Sequence, residues 1–424
     1  MWGQAEPWSA RLEFSVARII NAPLGLPTGV PLRLVNDPRM IADVEAFIRC
    51  FAPDAIVAGR VDPATSFELA PGEGLLICSA DWASLAERFD AALGSDRVFV
   101  LLEPEDYAWG HADFARSLPS WPERVGAAQV SVQEGRAHFS KWAKLVVNED
   151  GSLGRVDPDT LWLFQDRASR NAAALAEVKQ HLADSESLLT LETLLTGSVS
   201  DLFRRYSERV FRHVQYLECG SFFPGMVIVD GGIQEGFELP YYMAHTGGTA
   251  QIVCVDPSGF ERLGPFVAAT VQHFAKQFTV VTRALWSSSG DVALPVSDGI
   301  VLSQFKDLKE AGFPEVVLPC DTIDNIVQQQ GLTAVDLIKL DVEGAEPEVL
   351  RGMRETVAKH RPQLAISVYH WPEHMWELPL ELMRSLPDYD FFLRHYSFGR
   401  WECILYAVPK PGTAPRLDQH RLAA

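Results

Sequence analysis

The sequence predicts a doubly wound α/β protein. Seven strands, mostly parallel, are expected in the C-terminal half, the last two forming an antiparallel hairpin, with a smaller α/β module before them. Three observations carry this. Beyond residue 220, short apolar runs alternate with stretches of helical period, the pattern of repeated strand–helix–strand units. The last two apolar runs are joined only by Tyr396-Ser397-Phe398-Gly399-Arg400, too short a connection for a crossover, so that pair must be antiparallel. Far upstream, residues 74–102 repeat the strand–helix–strand pattern once.

The bulk properties fit such a protein and exclude several others. At about 150 residues per domain, 424 residues make two or three domains. Hydrophobic residues at 47% and charged residues at 22% are ordinary for a globular chain. The formal charge of −19 is spread over both halves, so no basic module exists to grip nucleic-acid phosphates. The six cysteines form no Cys-x-x-Cys pair, and several lie inside apolar runs, as Cys78 and Cys254 do; buried free thiols are expected. No apolar run is long enough to span a bilayer, and the first residues lack the basic start and apolar core of a signal peptide. A cytoplasmic location without membrane or nucleic-acid partners is therefore expected.

In chain order, residues 38–51 should be helical, with Met40, Ile41, Val44, Phe47 and Ile48 on one face. Gly74–Cys78 reads as a strand, residues 82–93 as a helix striped by Leu85, Phe89 and Leu93, and residues 97–102 as a second strand. Asn148-Glu149-Asp150-Gly151 supplies the positive-φ positions of a hairpin turn. Residues 159–216 turn helical: Ala172-Ala173-Ala174-Leu175-Ala176 has high helix propensity, and Thr196-Gly197-Ser198 divides the stretch. Strands are then expected at 226–229, Gln251–Val255, 278–285, 335–340 and 363–369. Helices are expected at 237–245, 260–274 and 346–360, and the hairpin at Tyr389–His395 and 401–408. The domain organisation follows: an N-terminal α/β module of unassigned role over 1–158, a helical linker or cap over 159–219, a ligand-binding α/β domain over 220–410 and a tail over 411–424.

An open α/β sheet binds ligands beyond the carboxyl ends of its strands. The first such turn reads Asp230-Gly231-Gly232-Ile233-Gln234-Glu235-Gly236. Its glycines let backbone approach a ligand, and the helix start beyond offers free N–H groups. Neither Gly-x-Gly-x-x-Gly nor a Gly-Lys-Ser/Thr phosphate loop occurs in the chain. The second strand ends in Asp256-Pro257, where a carboxylate can accept two ribose hydroxyls. Acids at both strand ends with no phosphate grip suit S-adenosylmethionine, its ammonium near Asp230 and its ribose on Asp256. The plainer alternative is that Gly231 and Gly232 make only a tight turn and Asp256 only caps the next helix.

At this point the chain from about residue 166 to 409 resembles the FkbM family of S-adenosylmethionine-dependent methyltransferases. The most specific stretch is Ile338-Lys339-Leu340-Asp341-Val342-Glu343-Gly344-Ala345-Glu346, followed by Glu348-Val349-Leu350 and Gly352. Asp256-Pro257, Cys320-Asp321-Thr322-Ile323-Asp324 and Gln215-Tyr216 match further family segments. The glycine turn departs from the pattern, with Gly232-Ile233-Gln234 where the family usually has Gly-Ala-Asn or Gly-Ala-Phe. The resemblance implies the Rossmann-like class I methyltransferase sheet and S-adenosylmethionine as cofactor. It also implies methyl transfer, in most members to a hydroxyl of a sugar, glycan or secondary metabolite. The expected cofactor-binding residues are Asp230, Gly231, Gly232, Gly236, Asp256, Ala284 and Trp286, the last two at the third strand's tip beside the adenine.

An alcohol acceptor must lose its proton, so a base is needed within reach. Asp341, at the tip of the fourth strand, is the leading candidate, with Glu343 just after it and His370 at the tip of the fifth strand. Lys339 shares a strand face with Asp341, which makes Asp341 its expected partner, either catalytic or as a structural salt bridge. Glu346 reads equally as an acid complementing a helix dipole. His370 and His374 lack companions for a zinc set, so no metal site is expected; Mg²⁺ at Asp341 is admitted but not required. Trp371 and Trp376 suit a sugar platform or loop packing, and His395 a surface position. A homodimer is compatible with the sequence. Two other classes compete: a methyltransferase-fold scaffold without turnover, and a nicotinamide oxidoreductase, which the missing glycine pattern disfavours.

Overall fold

The computed structural model describes residues 160–198, 215–263, 265–297, 314–397 and 399–421, with 201–202, 205–206 and 300–301. Before residue 160 it describes 19–20, 29–36, 55–64, 67–79, 85, 88–89, 92–93, 97–101, 130–133, 136–139, 145–147 and 153–155. The helix expected over 38–51 and the turn at 148–151 lie outside these residues.

Five strands build the first sheet: β1 (Ile19–Ile20), β2 (Pro31–Asn36), β3 (Ile56–Arg60), β4 (Gly74–Cys78) and β5 (Val98–Leu101). They lie in the order β1-β5-β4-β2-β3 and every pair is parallel. β4 is buried along its whole length, as its unbroken apolar run requires in a parallel sheet. Between β4 and β5, Leu85, Arg88, Phe89, Ala92 and Leu93 are helical, in keeping with the upstream strand–helix–strand unit. An antiparallel meander follows: β6 (Val130–Gln133), β7 (Arg136–Phe139), β8 (Leu145–Val147) and β9 (Leu153–Arg155). The β8–β9 pair flanks the expected Asp-Gly hairpin.

Three helices come next: α1 (Thr160–Ser169), α2 (Ala172–His181) and α3 (Ser185–Thr196). Helix α3 buries Ser187, Thr190, Leu191 and Leu194, one stripe at helical spacing, and stops at Gly197. Asp184 caps it, accepting a hydrogen bond from the Ser187 amide at 2.8 Å. The same carboxylate pairs at 2.6 Å with Arg394, which is only 8% exposed. Burial works against the Asp184 charge, but the Arg394 and Ser187 hydrogen bonds outweigh it and lower its pKa to about 2. A folded pKa below the unfolded value gives stability that is present above about pH 4 and lost as pH falls toward 2. Asp184→Asn should cost about 1 kcal/mol at pH 7, discounted because the carboxyl is a third exposed, and much less near pH 2. Urea unfolding at the two pH values checks this.

The main sheet is formed by β10 (Val227–Gly231), β11 (Gln251–Val255), β12 (Phe278–Val281), β17 (Leu337–Leu340), β18 (Gln363–Ser367), β19 (Tyr389–His395) and β20 (Cys403–Pro409). Its order is β12-β11-β10-β17-β18-β20-β19. The first five are mutually parallel, and β20 runs antiparallel to both β18 and β19. The connecting helices are α4 (Glu238–His245), α5 (Pro265–His273), α6 (Ile323–Gln329), α7 (Glu346–Arg351), α8 (Arg354–His360) and α9 (His374–Ser385); α10 (Pro415–Arg421) ends the described chain. This is the doubly wound sheet with a closing hairpin that the sequence predicts. From β10 the chain winds outward through β11 and β12, then returns to place β17 on the other side of β10. The switch point therefore lies between the tips of β10 and β17, where an open α/β sheet binds ligands.

Several expectations need correction. The third strand ends at Val281, where the Arg283 amide turns back onto the Val281 carbonyl at 3.0 Å. Ala284–Leu285 is a separate strand, β13, in a small sheet with β14 (Gly290–Ser297), β15 (Ile300–Val301) and β16 (Glu315–Asp321), in the order β13-β16-β14-β15. That insertion is absent from the sequence reading. The helix expected over 260–274 begins only at Pro265, whose fixed φ suits a first turn. The helix expected over 346–360 is two helices divided at Gly352. There the glycine carbonyl accepts the Asp324 amide at 3.0 Å, and a Cβ would lie 2.4 Å from the Trp286 carbonyl oxygen. His395 is fully buried, edge-on to Tyr206 at 4.7 Å, and not a surface residue.

Candidate active site

A cleft opens at the switch point. Gly232 and Gln234 line it from the turn after β10, Asp256 from the tip of β11, Ala284 and Leu285 from β13, and Asp341 and Glu343 from the loop after β17. The sequence-predicted residues that meet at the cleft are therefore Gly232, Asp256, Ala284, Asp341 and Glu343. Asp230, Gly231, Gly236, Trp286, Lys339 and His370 do not line it.

Gly232 explains how the two tips come so close. Its φ is +76°, and a Cβ there would fall 1.7 Å from the Asp341 carbonyl oxygen. Asp256 closes the turn from the other side. One carboxylate oxygen accepts the Ile233 amide at 2.9 Å and the Gln234 amide at 3.4 Å, and the other accepts the Ser258 amide at 2.8 Å and hydroxyl at 2.5 Å. With about four acceptor positions on a carboxylate, a ribose hydroxyl would have to displace one of these, and the long Gln234 contact is the weakest.

Beneath the turn lies a buried ion cluster. Lys339 is 2% exposed and its Nζ sits 3.0 Å from Asp230 Oδ1 and 3.3 Å from Glu238 Oε1, and it donates to the Gly232 carbonyl. This corrects the expected Lys339–Asp341 pairing: Asp230 is the register neighbour of Lys339 across β10 and β17. Burial opposes the lysine charge, but the two carboxylates hold its pKa above the ordinary value. Burial pushes Glu238 up to about 8, against the pull of Lys339. Asp230 is fully buried on Lys339, so the position read as an ammonium partner faces inward.

Asp341 is held by two tyrosines. Tyr216 donates to Oδ2 at 2.6 Å and Tyr369 to Oδ1 at 2.9 Å. Burial disfavours the Asp341 charge, but His370, Lys339 and these hydroxyls lower its pKa. Glu343 accepts a hydrogen bond from the Gln234 side chain across the cleft, and burial raises its pKa to about 7. His370, 3% exposed, has Nε2 3.4 Å from Asp341 and 3.5 Å from Glu343, and Nδ1 2.9 Å from Glu346. Burial would lower its pKa, but Glu346, Asp341 and Glu343 raise it to about 10. Trp376 is buried at 3% in the main hydrophobic core and offers no platform.

Residues absent from the candidate set also belong here: Tyr216, Gln234, Glu346, Tyr369 and His374. The backbone marks some of them. Tyr216 (φ +67°), Gln234 (+47°), Glu343 (+54°) and Glu402 (+61°) are four of the five described non-glycine residues at positive φ. Glu402 joins the group by accepting from Gln215, which also donates to the Tyr216 hydroxyl at 3.1 Å. Such strain collects at functional sites, where the surrounding structure holds it in place.

Residues 236–393 match the model of the Methyltransferase FkbM domain, so the resemblance read from the sequence is met over that span. No curated protein matches the chain. Among solved structures the chain is similar to the methyltransferase FkbM from Methylobacillus flagellatus KT, at 19% identity and a TM-score of 0.44, covering 91% of this chain and 95% of that one. It is also similar to the O-methyltransferase from Bacillus cereus in complex with SAH, at 12% identity and a TM-score of 0.28, covering 60% of this chain and 93% of that one. Among the described residues, no helix is long and apolar enough to cross a membrane.

Proposed function

We propose that the protein is an S-adenosylmethionine-dependent O-methyltransferase acting on a hydroxyl of a sugar, glycan or secondary metabolite. One observation carries the reading: three carboxylates, Asp256, Asp341 and Glu343, face a single cleft at the switch point. That lining attracts a cationic sulfonium and repels the pyrophosphate of a nicotinamide dinucleotide, with Arg262 the one basic residue among those lining it. The FkbM domain match over 236–393 points the same way.

S-adenosylmethionine would supply an electrophilic methyl group on a positively charged sulfur. Its adenosyl part would lie along Asp256, Ala284 and Leu285, and its amino-acid part at Gly232 and Gln234. The protein's own work is positioning: an in-line displacement needs the acceptor oxygen about 3 Å from the methyl carbon. Asp341, fixed by Tyr216 and Tyr369, would accept a hydrogen bond from the acceptor hydroxyl and orient it. Glu343 would take its proton on Oε2, which lies 3.5 Å from His370 Nε2, while Gln234 holds Oε1. Lys339, buried on Asp230 and Glu238, supports the strand tips and does not touch the acceptor.

Labelled methyl transfer from S-adenosylmethionine to fractionated small metabolites tests this. Label should appear in an ether-linked methyl, identified by mass spectrometry and by its resistance to mild alkali. Label confined to nitrogen or to esters would sink the O-methylation reading.

A further inference from the structure

At the inner wall of the cleft, Asp341, Glu343 and Glu346 converge on His370, while Lys339 is committed to Asp230 and Glu238. Asp341 and Glu343 face the cleft, but Glu346 is fully buried and His370 3% exposed, so water does not solvate the Glu346 carboxylate. His370 Nδ1 lies 2.9 Å from Glu346 Oε1, while Glu346 Oε2, 3.5 Å from His374 Nδ1, makes no hydrogen bond. Buried polar atoms this close and still unsatisfied are rare in folded proteins. The spacing is that of two neighbouring ligands on one ion, whose edge at metal–ligand bonds near 2.1 Å is about 3.0 Å. One donor atom each from Asp341, Glu346 and His370 lies within 4.8 Å of the others.

We propose that Asp341, Glu346 and His370 form a binding site for one divalent transition-metal cation at the inner wall of the cleft. Two carboxylates and an imidazole are a mixed oxygen–nitrogen set, which favours Mn²⁺ or Zn²⁺ over Mg²⁺ or Ca²⁺. The outer contacts suit it. Tyr216 and Tyr369 donate to the Asp341 carboxylate, and the Val342 amide donates to Glu346 Oε1 at 3.1 Å, so the ligating carboxylates are themselves oriented. Asp341 lines the cleft, giving the cation an entry path and a free coordination position toward the acceptor. The site stands on these contacts and does not depend on methyl transfer.

The test uses the metal-stripped full-length protein and Mn²⁺ alone, read by loss of the free-ion electron paramagnetic resonance signal. One saturable site per chain is expected. Glu346→Gln and His370→Ala should each weaken it at least about 10-fold, the scale of losing one ligand. Crystals grown with Mn²⁺ should show an anomalous peak at bonding distance from the three residues, which locates the site even if a variant fails to fold. No saturable binding by the wild-type protein, unchanged affinity in a folded variant, or a peak elsewhere would overturn the proposal. Because no methyl donor is present, this failure is distinct from failure of the methyltransferase reading.

Discussion

Replacing Lys339 with methionine should destabilise the protein by roughly 3–5 kcal/mol, the scale on which removing one partner strands a buried charge. Lys339 Nζ is the cation within 3.3 Å of both Asp230 and Glu238, and both acids are buried. Methionine fills most of the lysine's volume, so the loss reflects charge and not a cavity. It would also remove the donor to the Gly232 carbonyl that pins the turn after β10. Adding Asp230→Asn should recover part of the stability, since the two positions share one interaction. Urea unfolding of the two single variants and the double variant measures this. If Lys339→Met unfolds like the wild type, the ion cluster does not hold the strand tips together.

Asp341→Asn should leave the protein folded and lower kcat by about 10³-fold, or about 4 kcal/mol of transition-state stabilisation. The amide keeps the shape and one acceptor oxygen, so one of the tyrosine contacts survives. The carboxylate charge that faces the cleft is lost. The expected pattern is a fall in kcat with little change in KM for S-adenosylmethionine, because the proposed cofactor position lies on the Gly232 and Asp256 side of the cleft. Initial-rate kinetics with thermal melts as a folding control separate the two. A rise in KM at unchanged kcat would assign Asp341 to cofactor binding instead.

Much of this architecture is legible in the sequence because strand tips are. Buried parallel strands read as apolar runs, so the residues ending them, Asp230, Asp256, Asp341 and His370, can be placed near one crevice without coordinates. What such runs leave open is which strands are neighbours. The period of two along one strand pairs Lys339 with Asp341, but its partner Asp230 lies across the β10–β17 pair, visible only once the strand order is known. Glu346 looked like a helix-start acid. Its packing against His370 depends on how β18 places the residue that follows it. Gly352 does not read as a helix break in the sequence, because the apolar spacing continues through it. The constraint there is contact with the Trp286 carbonyl and the Asp324 amide. The β13–β16 insertion carries partly exposed strands such as Glu315–Asp321, whose pattern is weaker than that of the buried sheet.

Calorimetric titration of the full-length protein with S-adenosylhomocysteine and, separately, with NAD is the most direct test that the cleft at Gly232, Asp256 and Asp341 binds the adenosyl and amino-acid parts of S-adenosylmethionine. S-adenosylhomocysteine should bind one per chain, NAD should not bind, and Gly232→Ala, whose Cβ would meet the Asp341 carbonyl at 1.7 Å, should lose the binding. Binding of NAD without S-adenosylhomocysteine, or binding of S-adenosylhomocysteine that Gly232→Ala leaves intact, would contradict it.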